Sequence, residues 1–179
     1  MKKLLLLLTL ALPLFNMCKT DEEPGPLPPE YFGETAVFKN GVEAIVKSYG
    51  TQIEPDSTLS INIDLFNSNQ SNIGKLLFQN ILPRTGSVSL KKKVYPTNGT
   101  AYVVFFDSNG DFLNGFYDLL ETEPSNSLII TSFDDIADEI TGSFNVTMVV
   151  DSVSNASNPS LVDTLRFTGG YFHTKIYYY

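Results

Sequence analysis

Asp107, Asn109, Asp111 and Asp118 fall at the first, third, fifth and twelfth places of a stretch that approximates a calcium-binding loop. The sixth place, where such a loop bends sharply on glycine, is Phe112. Asn109-Gly110 within the same stretch is a hairpin-turn signal, because both residues take positive φ at low cost, and the hairpin is the favoured reading. A second acidic group, Asp134, Asp135, Asp138 and Glu139, has the oxygen chemistry for weak calcium binding, and equally suits helix capping and solvation. A glycosidase needs two carboxyl groups about 5 to 9.5 Å apart, and no spacing here singles out a pair. His173 is the sole histidine. That excludes histidine-rich zinc sites and leaves any serine–histidine–acid arrangement dependent on one residue. The chain has no G-x-S-x-G elbow, P-loop, dinucleotide-binding glycine pattern or H-E-x-x-H. The expectation is therefore a protein without catalytic residues, metal site or cofactor, with a carboxylate-dependent hydrolase as the enzymatic alternative.

Cys18 is the only cysteine, which rules out a disulfide framework within the chain. It follows Lys2, Lys3 and a mostly apolar run from Leu4 to Phe15, the length of a signal-peptide core and short of the roughly 20 residues a membrane-spanning helix needs. Residues 1–17 are predicted to be a signal peptide and Cys18 to be lipidated. The preceding Leu14-Phe15-Asn16-Met17 departs from the branched and small residues usual before such a cysteine. Acyl chains on Cys18 would make a membrane partner, at about 0.8 kcal/mol per buried methylene. Residues 18–33 then read as a tether, with Pro24, Pro26, Pro28 and Pro29 favouring extended geometry. Lys19, Asp21, Glu22 and Glu23 resemble the export signal of Bacteroidota lipoproteins. The resemblance implies an outer-membrane, lipid-anchored and surface-exposed protein, with the periplasmic face as the alternative.

The chain carries 12 basic and 20 acidic residues, and removal of the signal with its two lysines makes the balance more acidic. Such a field opposes nucleic acid as a partner. The one basic cluster, Lys91-Lys92-Lys93, suits an exposed strand edge.

From residue 34 to 179 one pattern repeats: short stretches of alternating apolar and polar residues separated by Asn, Gly, Asp and Pro. Leu59, Ile61, Ile63 and Leu65 alternate with Ser60, Asn62 and Asp64, which places four apolar side chains on one face and polar ones toward solvent. Ile140, Gly142, Phe144, Val146, Met148 and Val150 repeat the arrangement. Further strands are expected near 35–39, 42–48, 75–82, 86–94, 100–106, 111–119, 127–133, 161–168 and 170–178, with Asn40-Gly41 closing the first hairpin. The only helical candidate is a turn or two around Asp134–Asp138. The fold class that follows is all-β, an antiparallel β-sandwich of about ten strands in a single domain, with an up-and-down meander barrel as the alternative.

Phe38-Lys39-Asn40-Gly41, Leu128-Ile129-Ile130-Thr131-Ser132-Phe133-Asp134, Ile140-Thr141-Gly142-Ser143-Phe144 and Phe167-Thr168-Gly169-Gly170-Tyr171-Phe172 resemble, in that order, the blocks of a family of small Bacteroidota lipoproteins of unknown function. Such sequences often carry a tryptophan after the Asn-Gly turn, and this chain has none. The family implies an all-β lipoprotein and brings no catalytic residues.

With Phe172, Ile176 and Tyr178 inward, Tyr171, His173, Lys175 and Tyr177 would line the outer face of the last strand, where tyrosines could stack on a glycan or a surface-protein partner. Ser57, Ser152 and Thr164 each follow aspartate and resemble Bacteroidota O-glycosylation sites. The functional expectation is non-enzymatic binding of a glycan or protein at the bacterial cell surface, with a structural subunit of a surface assembly as the alternative.

Overall fold

The computed structural model describes residues 30–52, 57–94, 99–110 and 112–179. Residues 1–17, Cys18, Lys19, Asp21, Glu22 and Glu23 lie outside the described residues. The fold is all-β and mostly antiparallel, with eleven strands and one short helix among the described residues. In chain order the elements are β1 (Thr35–Lys39), β2 (Val42–Glu43), β3 (Ile45–Gln52), β4 (Leu59–Phe66), β5 (Asn72–Ile81), β6 (Gly86–Val88), β7 (Tyr102–Asn109), β8 (Phe112–Leu119), β9 (Ser127–Asp134), β10 (Glu139–Val150), α1 (Ser152–Ser157) and β11 (Thr164–Tyr178).

They form one sheet in the order β2-β1-β11-β3-β4-β5-β7-β8-β10-β9-β6, and an additional β10–β11 pairing closes seven of them into a strand ring. Two long strands make this closure possible by changing partners along their length. β10 pairs with β9 through its first half and with β8 through its last three residues, while β11 runs beside it. β11 takes β1 on its first half and β3, in parallel, through Ile176, Tyr177 and Tyr178.

The interior follows the alternation. Leu59, Ile61, Ile63 and Leu65 of β4 are all buried, as are Ile140, Phe144, Val146 and Met148 of β10. Phenylalanines fill the middle: Phe78 meets Phe144 at 5.1 Å between centroids and Phe105 meets Phe167 at 5.0 Å. Glycine makes room for them. Across β10 and β11, Gly142 stands opposite Phe172 and Phe144 stands opposite Gly170. A β-carbon on Gly142 would lie 2.5 Å from the Phe172 ring, and one on Gly170 would lie 2.4 Å from the Phe144 ring. These reciprocal pairs give the blocks Ile140-Thr141-Gly142-Ser143-Phe144 and Phe167-Thr168-Gly169-Gly170-Tyr171-Phe172 a packing reason.

Several boundaries differ from the expectation. The stretches 161–168 and 170–178 are one strand of 15 residues. Gly169 does not break it, because it takes φ 60° in a bulge and donates its N–H to the Asn145 side chain at 2.9 Å. The stretch 86–94 pairs only through Gly86–Val88, against β9, before crossing to β7, where Lys91 bridges Tyr102. The three lysines are therefore anchored on the sheet: Lys92 reaches Asp118 at 3.3 Å and Lys93 lies 5.6 Å from the Tyr102 ring centre. No helix forms at Asp134–Asp138. Asp134 accepts from the N–H groups of Ile136 and Ala137, and Asp138 at φ 56° turns the chain into β10.

The helix lies instead at α1, where Asp151 accepts from the N–H groups of Val153 and Ser154. Burial pushes the Asp151 carboxyl up, and the Ser154 and Val153 hydrogen bonds outweigh it, so the group sits below the ordinary carboxylate range.

Candidate functional site

The last four residues of the stretch that composition assigns to a tether, 30–33, pack on the domain. Residues 30–34 continue the line of β1 alongside β11: the Glu34 carbonyl accepts from the His173 N–H at 2.8 Å, and the Glu30 carbonyl accepts from the Tyr177 hydroxyl at 2.7 Å. Gly33 passes so close to β11 that a β-carbon there would sit 2.2 Å from the His173 carbonyl oxygen. Phe32 stands edge-on to the His173 ring at 5.6 Å, with the Lys175 ammonium 4.9 Å from its ring centre.

Tyr31 makes the most specific contact. Its ring meets Tyr49 and Phe66, each at 5.9 Å, and Lys47 lies within 5.3 Å of its centre. Its hydroxyl donates to Asp64 Oδ2 at 2.7 Å. Asp64 belongs to the outward face of β4, which alternation assigns to solvent, yet it is only 4% exposed because this segment covers it. Lys75, opposite Asp64 on β5, donates to the Tyr49 hydroxyl at 2.7 Å and lies 3.5 Å from Asp64 Oδ1. Burial lowers the Lys75 ammonium's affinity for its proton, and the Tyr49 hydrogen bond and Asp64 charge more than restore it, so its pKa is raised.

Burial and the hydrogen bond to Asp64 together raise the Tyr31 phenol well above its ordinary 10. Stability from this contact is fully present below the unfolded value of about 10 and is lost as pH rises through the folded one. Urea unfolding at pH 8 and pH 11 is expected to show wild type losing its advantage over Tyr31→Phe as pH rises. An unchanged gap would place the phenol elsewhere.

The expected outer-face residues are thus divided. Tyr171 is exposed, whereas His173 and Tyr177 are engaged by the covering segment, and His173 also contacts Glu139 at 2.8 Å. Phe172 and Ile176 point inward as expected, but Tyr178 is 48% exposed at the strand's end. Ser57 and Ser152 are exposed, and Thr164 is half-buried at the start of β11. Asp107 pairs with Lys39 at 3.6 Å beside the β7–β8 hairpin. No group of three metal-ligating side chains occurs among the described residues.

Sequence reasoning missed Tyr31, Phe32, Asp64 and Lys75 as a unit. The available signal was the aromatic pair in Glu30-Tyr31-Phe32-Gly33, apolar surface that a purely solvated linker does not need. No family model, curated protein or solved structure matches the chain.

Proposed function

We propose that this chain is a lipid-anchored extracytoplasmic protein of the bacterial outer membrane, surface-exposed, whose β domain binds a glycan or protein without catalysing a reaction. The carrying observation is the outward-facing cluster of Tyr31, Tyr49, Phe66, Lys47, Lys75 and Asp64, where aromatic faces surround a buried carboxylate close to the point where the tether departs. Aromatic faces with a few convergent polar groups are the usual chemistry of small-ligand recognition. The signal-like residues before Cys18, the acidic stretch after it and the resemblance to Bacteroidota lipoproteins support the anchoring.

A second observation favours a subunit of a surface assembly. Beside this cluster, and sharing Phe66 with it, Val42 and Ile45 border a depression of about 280 Å³ lined also by Leu65 and Ile73, while Phe112 and Leu113 are exposed on the β7–β8 hairpin. Exposed apolar surface of this kind suits a protein partner.

Cys18→Ala is expected to abolish incorporation of radiolabelled palmitate and to release the protein from the membrane fraction, while protease shaving of intact cells removes the wild-type domain. A processed, soluble product with an unmodified thiol would overturn the anchoring.

A further inference from the structure

The two oxygens of Asp64 are unequally served. Oδ2 accepts the Tyr31 phenol, whereas buried Oδ1 accepts no hydrogen bond and has only the Lys75 ammonium at 3.5 Å, which donates to the Tyr49 hydroxyl at 2.7 Å. A buried acceptor with a distant ion-pair partner and no hydrogen bond is under-satisfied, so an occupant bringing two donors has an advantage over one that brings a single donor.

We infer that this slot is a carbohydrate site for a pyranose with adjacent hydroxyls, and that Tyr31 is its placeholder. The inference rests on the binding role proposed above and gives it a ligand class and a place. Adjacent hydroxyls donate one hydrogen bond to each carboxylate oxygen, as a single phenol cannot. The C–H face of the sugar lies against Tyr49 and Phe66, and Lys47 and Lys75 remain as donors to its other oxygens.

Space adjoins the slot: a depression of about 240 Å³ is lined by Tyr31, Phe32, Gly33, Thr35, Lys47 and Ser48 among others. Tyr31 is 42% exposed and is held by side-chain contacts outside any strand, so it can swing away without breaking a ladder pairing. Its raised pKa keeps the phenol a donor in the closed form.

Full-length Tyr31→Ala tests the idea with two probes that differ by one hydroxyl. By calorimetry, catechol is expected to bind this variant at least tenfold more tightly than phenol. Tyr31→Ala/Asp64→Asn is expected to lose that difference, because the amide presents one acceptor oxygen. On a glycan array Tyr31→Ala is expected to bind at least tenfold more strongly than wild type. Mild periodate, which cleaves the carbon–carbon bond between adjacent hydroxyls, is expected to abolish that signal. Equal affinity for catechol and phenol, an array signal that does not rise, or one that survives periodate or Asp64→Asn would overturn the inference. Should the alanine variant not fold, Tyr31→Val, which also removes the ring and its donor from the slot, is expected to show the same catechol preference, and its absence is equally decisive. None of these outcomes touches the palmitate result, so failure of the slot and failure of the anchoring are separable.

Discussion

Phe144→Ala is expected to destabilise the domain by about 3–5 kcal/mol, the range for removing a buried aromatic side chain and leaving a cavity. Phe144 is buried between Phe78 on β5 and the bare backbone of Gly170 on β11, so the space it vacates is bounded by a second ring and by a strand that cannot follow it inward. Gly142→Val is the complementary test. Its first side-chain carbon meets the Phe172 ring at 2.5 Å and the Ile129 carbonyl oxygen at 2.6 Å, and the second of these is backbone. Overpacking of about 1–3 kcal/mol or more is expected. Thermal and urea unfolding of both variants measures the effects. If both variants unfold like wild type, the Gly–Phe pairing does not organise the core.

Lys75→Met is expected to cost about 1–3 kcal/mol, because it leaves a buried carboxylate with only the Tyr31 phenol as partner. Lys75 is itself one-third exposed, so water relieves part of the loss and the effect stays below that of a fully enclosed pair. The double variant Lys75→Met/Asp64→Leu is expected to recover most of the stability, since replacing both members removes the orphaned charge. A double-mutant cycle in urea reports the coupling. Additive losses would show that the two side chains act independently.

Much of the interior was legible from spacing alone. The alternation in Leu59–Leu65 and Ile140–Val150 assigns inward side chains correctly, and Asn40-Gly41 is a hairpin turn with both residues at positive φ. Gly169-Gly170 misled because two glycines in sequence read as a break. Here one forms a bulge and the other receives a phenylalanine, and only the opposing strand distinguishes those roles. Residues 86–94 misled because a stretch that pairs successively with β9 and β7 has the composition of one strand.

The candidate site was hidden by the same rule that revealed the core. Alternation sends Asn62 and Asp64 outward, and outward normally means hydrated. Both are buried, and what covers Asp64 lies more than thirty positions earlier in the chain. Local pattern carries no information about which distant segment crosses an outer face.

The path of residues 30–34 also sets how the domain meets mechanical load. Because this segment prolongs β1 along β11 and leaves near Tyr177, a pull on Glu30 toward that end runs along the strand axis. The β1–β11 hydrogen bonds are then strained together in shear, instead of peeling open one after another. Drag on the folded part is thereby shared across the ladder, and the Glu30–Tyr177 hydrogen bond and then Tyr31, ahead of it, are the first grips to slip.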